Sequence, residues 1–507
     1  MASECILAID QGTTNTKALL FDREGKALFK ASASVGLIQP KPGYVEQDPV
    51  AIWRSVCDVM RSCAAHAKLD GITIAGIAIS NQRETAVAWR PSGDESDVAG
   101  VPVANAITWQ CRRSEPVCGE LRPFAGLLRD RTGLPLDPLL TATKWAWLLN
   151  EYPEVRAGVE SGEVLLGTID TWLLYNLTNG RVHATDLTNA SRVALLNLES
   201  LDWDEELLAL FRIPRAALPR LSASSNVFGE CATPSEFAGV PIVSMIGDSH
   251  AAFVGHGCYE LGAVKATYGT GSSLMMMTPQ LSAPQEVLAR TIAWSLPGKV
   301  QYALEGNIAM SGAALHWVGE FLGLPNPAED AAVLAESVPD AGGVILVPAM
   351  VGLGAPHWDS AARGLITNLE RAHKAAHLAR ASLDAIAMQV TDVLEAMEHT
   401  AAATLPVLLA DGGATRNRTL MQTQADVLGR CVRRSSQEEL SARGAALLGG
   451  LTLGWWSGMD ELAALPADND SFQPLLDDEK RTKLRQAWSL AIARARLRST
   501  ASASAEK

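Results

Sequence analysis

A chain of 507 residues exceeds one ordinary core, since domains run about 100–200 residues, so two or three domains are expected. With 20% charged and 48% hydrophobic residues, the composition is that of a globular protein and excludes a disordered one. The net charge of −13 argues against a general nucleic-acid binder, although a few local donors can hold a phosphate on an acidic protein. No stretch reaches the ~18 apolar residues that span a bilayer, so no membrane partner is expected. MASECILAIDQG has no basic leader region and meets Asp10 early, so it reads as a strand, not a signal peptide. The eight cysteines are scattered without a C-x-x-C pair, which suits free thiols in a reducing cytosol and a cytoplasmic location. His373 and His377 have helical zinc-ligand spacing, but no third ligand lies nearby in the sequence.

In chain order, ILAID (6–10) is an apolar run, followed by a Gly-Thr turn, KALLFD (17–22), a turn at REGK, and ALFKASAS as a further strand. PVAIWRSVCDVMRSCAAH (49–66) carries apolar residues at helical spacing, and GITIAGIAIS (71–80) is a buried strand ending at polar NQRET. TKWAWLLNEYP (143–153) is a helix stopped near Pro153, and VLLGTIDTWLLYNL (164–177) is a strand, then a helix. PIVSMIGDSHAAFVGHG (241–257) runs from an apolar strand through Gly-Asp-Ser into a helix. KATYGTGSSLMMMT (265–278) repeats the opening pattern of strand, Gly-Thr turn and strand, which points to two related domains with ligand between them. Ala-rich helices follow at 375–403, then the strand PVLLADGG (406–413), the helix NRTLMQTQADVLG (417–429) and the glycine-rich ARGAALLGGLTLGWW (442–456). The tail at 499–507 has a disordered composition.

Three glycine turns after strands carry the chemistry. In Asp10-Gln11-Gly12-Thr13-Thr14, Gly12 can adopt positive φ, Thr13 and Thr14 offer hydroxyls, and successive N–H groups can meet phosphate oxygens. Lys17 on the return strand can add a cation, and Asp10 would hold Mg2+ through water. Taken alone, this motif is equally an ordinary hairpin with a polar turn. Tyr268-Gly269-Thr270-Gly271-Ser272-Ser273 and Asp411-Gly412-Gly413-Ala414 supply two more such turns, and the three together signal a nucleotide far more strongly than any one. There is no G-x-x-x-x-G-K-[ST] P-loop, no dinucleotide G-x-G-x-x-G after a strand, and no H-R-D or D-F-G of protein kinases. Asp248 follows an apolar strand and precedes a helix, which suits either a general base or a helix N-cap. Arg83 and Glu84 together offer donors and an acceptor, as neighbouring hydroxyls require, or else a surface salt bridge.

These residues resemble the FGGY carbohydrate kinase family, and within it the glycerol kinases, over roughly residues 5–465. The resemblance is carried by AIDQGTTNTKA (8–18), PKPGYVEQDP (40–49), SNQRET (80–85), ITWQCRR (107–113), GTIDTWLLYNLT (167–178), HATDLTNASR (183–192), GDSHAA (247–252), YGTGSS (268–273), YALEGN (302–307), PAMVGLGAPHWD (348–359) and LADGGATRN (409–417). It implies an α/β, two-domain, actin-like (ribonuclease H-like) ATPase fold with a mixed β-sheet in each domain. An N-terminal domain over 1–252 would take substrate and the first phosphate loop, and a C-terminal domain over 253–498 would take ATP. By the same resemblance Asp248 is the base, Arg83, Glu84 and Trp109 contact substrate, and Asp10 serves the metal. Thr13, Thr14, Lys17, Gly269, Thr270, Gly312, His316, Gly413 and Asn417 would line the nucleotide. The implied partners are a small polyol or sugar and further copies of the chain in a homodimer or homotetramer.

Three departures fall in the substrate pocket: Leu139, Ser249 and Ser273 stand where glycerol kinases place Tyr, Gln and Phe. Lost aromatic wall and added room favour a longer or more polar acceptor, so the expected substrates are glycerol, a four- or five-carbon polyol, or a ketose. Lys17 replaces the usual Arg, keeping charge without bidentate geometry, and His316 replaces a Gln near the adenine. The segment 230–241 lacks the Arg-containing loop that binds a regulatory sugar bisphosphate in some relatives, so no such regulation is expected. The competing reading is a non-catalytic actin- or chaperone-like ATP-binding scaffold, which has no need of NQRET and GDSHAA. A dinucleotide redox enzyme would require the missing glycine fingerprint.

Overall fold

The computed structural model describes residues 4–92, 98–437, 439–466 and 469–497; the tail expected to be disordered lies outside the described residues. Apolar runs too short for helices become the central strands of two mixed sheets. The first sheet contains β1 (Glu4–Gln11), β2 (Asn15–Phe21), β3 (Ala27–Ser34), β4 (Thr73–Asn81), β5 (Ser225–Glu230) and β6 (Pro241–Gly247). Its order is β3-β2-β1-β4-β6-β5: an antiparallel meander, two parallel neighbours, and an antiparallel edge.

The second sheet contains β7 (Val264–Tyr268), β8 (Ser272–Thr278), β9 (Ala289–Leu296), β10 (Lys299–Ile308), β11 (Val407–Asp411), β12 (Cys431–Ser435) and β13 (Asn469–Phe472). Its order is β9-β10-β8-β7-β11-β12-β13. Without the outer strand β9, the run β10-β8-β7-β11-β12-β13 repeats the first sheet, direction by direction. The duplication that the two Gly-Thr units only suggest in sequence is thus explicit in the topology. Each of the two Gly-Thr turns joins consecutive antiparallel strands of its meander, β1 to β2 and β7 to β8.

Helices cover the sheets. Asp48 caps α1 (Pro49–Leu69) by accepting from the Val50 N–H, and Pro49 presets the first turn. The α1 stripe of Ile52, Trp53, Val56 and Met60 packs on Leu7, Ile9 and Ile77. In the other half Leu383, Ile386, Val390 and Leu394 of the long helix Ala375–Ala401 cover Ala266, Tyr268 and Leu274. A further apolar cluster joins the halves, with Ile6 and Ala8 of β1, Met275 and Met277 of β8, and Leu447 and Leu448 of the helix Leu440–Thr452.

That last helix crosses the helix Asp248–Gly255 with no space for side chains. A Cβ on Gly444 would come within 1.8 Å of the Ala251 carbonyl oxygen, and one on Gly255 within 2.2 Å of that of Leu440. Arg443 secures the crossing by donating to the Gly255 and Gly25 carbonyls. Two glycines therefore hold the helix whose first residue is Asp248. Among the described residues, no helix is long and apolar enough to cross a membrane.

Candidate active site

Asp10 of the first glycine segment, Ser273 of the second and Gly412 and Gly413 of the third line one cleft, but the first turn does not use the conformational device expected of Gly12. Gly12 does not take positive φ; its N–H donates to Asn15 O at 3.0 Å, and a Cβ there would press that same oxygen at 3.2 Å. Smallness is also what the second turn uses: a Cβ on Gly271 would lie 2.4 Å from Ile308 O, and one on Gly312 2.6 Å from Gly269 O. Gly312 N–H donates to Gly269 O, and the Ser311 and Ala313 N–H groups donate to Thr270 O, so the second turn is tied to the start of helix Gly312–Phe321. Only the third turn needs left-handed backbone, at Gly412 with φ of 94°, where a Cβ would also meet Tyr268 O at 2.4 Å.

A cavity of about 700 Å3 lies between the halves. Asp10, Lys17, Arg83 and Asp248 line it from the N-terminal sheet and the helix that follows; Ser273, Gly412 and Gly413 line it from the other side, with Ser249 beside Asp248. Inward from it runs a chain of alternating charges. Arg83 Nε lies 3.3 Å from Asp248 Oδ1 and Arg83 Nη1 lies 2.8 Å from Glu305 Oε1. Arg192 continues it, with Nη1 2.7 Å from Glu305 Oε2 and Nε 2.6 Å from Glu84 Oε1. Glu305 is fully buried and shared by both guanidiniums; burial opposes its charge, but Arg192 and Arg83 outweigh that and hold its carboxyl well below the usual range. Burial likewise opposes Arg83, and Glu305, Glu84 and Asp248 more than restore its charge.

Asp248 behaves differently. Its confined position raises its carboxyl above the ordinary carboxylate value and Glu84 adds to the rise, while Arg83 and Lys265 work against it. The carboxylate still opens on the cleft, with 40% of its side chain exposed. Asp10 is pushed up to about 6, chiefly by burial and further by Asp248, with Lys17 and the Ser80 hydroxyl opposing. Ser80 Oγ donates to Asp10 at 3.0 Å. Lys17 is itself engaged: its ammonium is 2.5 Å from Glu439, which also pairs with Lys30 at 2.6 Å. Burial opposes the charge of Glu439, but bonds from Lys17 and Lys30 hold its carboxyl below the usual value.

The other expected residues are not among those that line this cavity. Glu84 is buried in a left-handed conformation with φ of 60°, and its carbonyl accepts from Thr141 Oγ1 and Lys144 Nζ, each at 3.1 Å. Lys144 also donates to the Leu139 carbonyl, so one buried lysine fixes both Glu84 and Leu139. Burial lowers its pKa to about 8. Trp109 donates its indole N–H to Thr13 Oγ1 at 2.8 Å, tying the expected substrate wall to the first turn. Thr14 accepts the Val35 N–H through its carbonyl. Asn417 caps the helix Arg418–Leu428 through the Leu420 N–H and reaches Glu336 at 3.3 Å. His316 stands exposed one turn into its helix and pairs with Glu320 at 3.3 Å.

Sequence reasoning missed Arg192, Glu305, Lys265 and Glu439. The signal was present: Glu305 and Lys265 are charged residues inside apolar strands, and a charge there must be paired if the strand is buried.

The N-terminal domain model of the FGGY family of carbohydrate kinases matches residues 5–255, and its C-terminal domain model matches residues 264–453. The chain is 44% identical over 492 residues to glycerol kinase 2 of Thermotoga maritima, covering 96% of this chain and 98% of that one. It is 46% identical over 496 residues to the glycerol kinase of Trichlorobacter lovleyi, covering 97% and 98%. Among solved structures it superposes on Plasmodium falciparum glycerol kinase with ADP at a TM-score of 0.91 and 31% identity, covering 98% and 99% of the two chains. A ligand-bound xylulose kinase from Lactobacillus acidophilus gives a TM-score of 0.85 at 25% identity, covering 97% of each. The chain therefore belongs to the FGGY family of carbohydrate kinases, and it is an ATP-dependent enzyme that phosphorylates a hydroxyl of a small sugar or polyol.

Proposed function

We propose that the acceptor is a small linear polyol of the glycerol type, phosphorylated at a hydroxyl held against Asp248. The observation that carries this reading is the charge chain Asp248–Arg83–Glu305–Arg192–Glu84 opening onto the cavity that also contains Asp10, Lys17 and Gly413. The names of the relatives, glycerol kinases at 44–46% identity, support the same substrate class.

Phosphoryl transfer to an alcohol needs positioning and charge neutralisation more than covalent participation. Arg83 offers donors and Glu84 an acceptor to neighbouring hydroxyls, and the fixed charges behind them resist reorientation when the substrate arrives. Asp248 accepts the proton of the attacking hydroxyl; confinement makes it a better base than a free aspartate. The turns around Thr13 and Thr14, around Gly269 and Thr270, and at Gly413 would meet the nucleotide with backbone and hydroxyl groups, Gly312 and Asn417 would line it as well, and His316 would stand near the adenine. Asp10 fits Mg2+, since its half-buried carboxyl forms no ion pair among the described residues, Lys17 being held by Glu439. Mg2+ bound there would neutralise charge on the triphosphate. The domain division proposed is 1–252 and 253–498. A scaffold has no use for a polyol grip.

The test is coupled ADP formation with three- to six-carbon polyols and ketoses. Asp248→Asn should bind polyol and lose about 10²–10⁴-fold in turnover, the share of a general base. Turnover near that of the wild type removes Asp248 from the base role, and no polyol-dependent ADP release removes the polyol kinase reading.

A further inference from the structure

Arg83, Glu84 and Asp248 make one grip, and next to it lies a stretch of cleft wall that this grip leaves unused. It consists of three hydroxyls, Ser249, Thr267 and Ser273, backed by a lysine. Lys265 lies within β7 and is fully buried. Its ammonium donates to Ser249 Oγ at 2.9 Å and to Thr267 Oγ1 at 2.8 Å. Ser249 Oγ is 3.1 Å from Ser273 Oγ, which in turn is 3.4 Å from Glu305 Oε1. Ser249, Thr267 and Ser273 all line the cavity beside Asp248.

The chemistry of the two ends gives this row a direction. An ammonium only donates and a carboxylate only accepts. Ser249 therefore accepts from Lys265, Ser273 donates to Glu305, and the Ser249 proton is left to point at Ser273. Both links beyond Ser249 are long, so a further group can enter the row without breaking a strong bond. The group that fits must accept at one side and donate at the other, as an alcohol does and a methylene does not. The buried ammonium supports this: it withdraws charge from Ser249 Oγ and makes that hydroxyl a stronger donor towards the cleft.

A four- or five-carbon polyol carries one or two hydroxyls more than glycerol, so it can fill the serine row in addition to any contact that glycerol makes in the grip. We propose that Ser249 and Ser273, polarised by Lys265, form a subsite for one additional hydroxyl of the acceptor, so that this cleft selects linear polyols of four or five carbons over glycerol. The proposal deepens the polyol kinase reading and rests on it. Ser249 and Ser273 are the specificity-determining residues, and Lys265 is a positioning residue that acts through them.

The experiment measures kcat/KM for glycerol and for four- and five-carbon polyols by coupled ADP formation. It uses the full chain, with Ser273→Ala, Ser249→Ala and Lys265→Met beside the wild type. The wild type should favour a four- or five-carbon polyol over glycerol by tenfold or more. Each serine variant should reduce that ratio about tenfold, mainly through KM of the longer polyol, as loss of a hydroxyl contact predicts. Lys265→Met should lower the same ratio; if it fails to fold by circular dichroism, the serine variants decide. A wild-type preference for glycerol, or equal losses on both substrates in the serine variants, overturns the subsite while leaving the kinase reading intact. No turnover with any polyol sinks both.

Discussion

Glu305→Gln tests the charge chain at its most exposed logical point. The substitution keeps shape and removes the one carboxylate that two buried guanidiniums share, at 2.8 Å and 2.7 Å. Removing one partner of a buried ion pair costs about 3–5 kcal/mol, because the remaining charge is left without compensation. Urea denaturation followed by tryptophan fluorescence should show a loss in that range at neutral pH. The loss should shrink on acidification: the folded-state pKa of Glu305 is depressed, so its stabilisation is full above its ordinary value of 4.5 and fades as pH falls through its lower folded value. A second readout separates function from stability. Without Glu305, Arg83 loses its strongest partner and leans on Asp248, 3.3 Å away, favouring the carboxylate. The acid limb of kcat/KM, if Asp248 sets it, should move to lower pH while the maximum falls. A stability loss under about 1 kcal/mol, or an acid limb that moves upward, would refute the idea that Glu305 holds the two arginines in register.

Asp10→Asn should stabilise the ligand-free protein at pH 7 while removing magnesium-dependent turnover. The Asp10 pKa is raised from 3.8 to about 6, so the cost of its charge is absent below the lower value and full above the higher, about 3 kcal/mol by that shift. Melting curves at pH 4 and pH 7 with and without Mg2+ check it, and a variant less stable than wild type at pH 7 contradicts it. Glu439→Gln should free Lys17 and Lys30 and change KM for ATP more than KM for polyol; equal changes would place Glu439 outside phosphate handling. Gly444→Ala should cost several kcal/mol and lower kcat as well, since a methyl group 1.8 Å from Ala251 O pushes away the helix that begins at Asp248. A melting temperature within a degree of wild type would show that the crossing has slack.

What the sequence made legible was local. A strand followed by Gly-Thr is visible in eight residues, and so are Asp248 at a strand-to-helix junction and Arg83-Glu84 after a buried strand. The apolar repeat also anticipated the duplicated halves, because each Gly-Thr turn needs the same meander to present it. Gly12 shows a limit of this reading: glycine was expected for positive φ, and the chain uses it for close approach, a difference that only the neighbouring Asn15 carbonyl reveals. The charge chain was not legible, because its links join residues 108 and 222 positions apart.

Buried charge explains both the gap and the function. An arginine in NASRVALL, a glutamate in YALEGN and a lysine in AVKATYG each look anomalous beside apolar neighbours, and no single one indicates its partner. Folded, Arg192 and Glu305 compensate one another and Lys265 is held by the Ser249 and Thr267 hydroxyls, which is the condition on which a low-dielectric interior accepts them. Asp248 keeps a side open to the cleft, and the serine pair beside it lines the same cavity. A reacting hydroxyl thus enters beside arginines and glutamates that are already paired with one another, and Asp248 stands at hand as an acceptor whose affinity for the proton confinement has raised. The same commitment makes the site selective: a substrate gains there only where its hydroxyls meet groups that still have a donor or acceptor to offer, and among the described residues Ser249 and Ser273 are such groups beside the reacting centre.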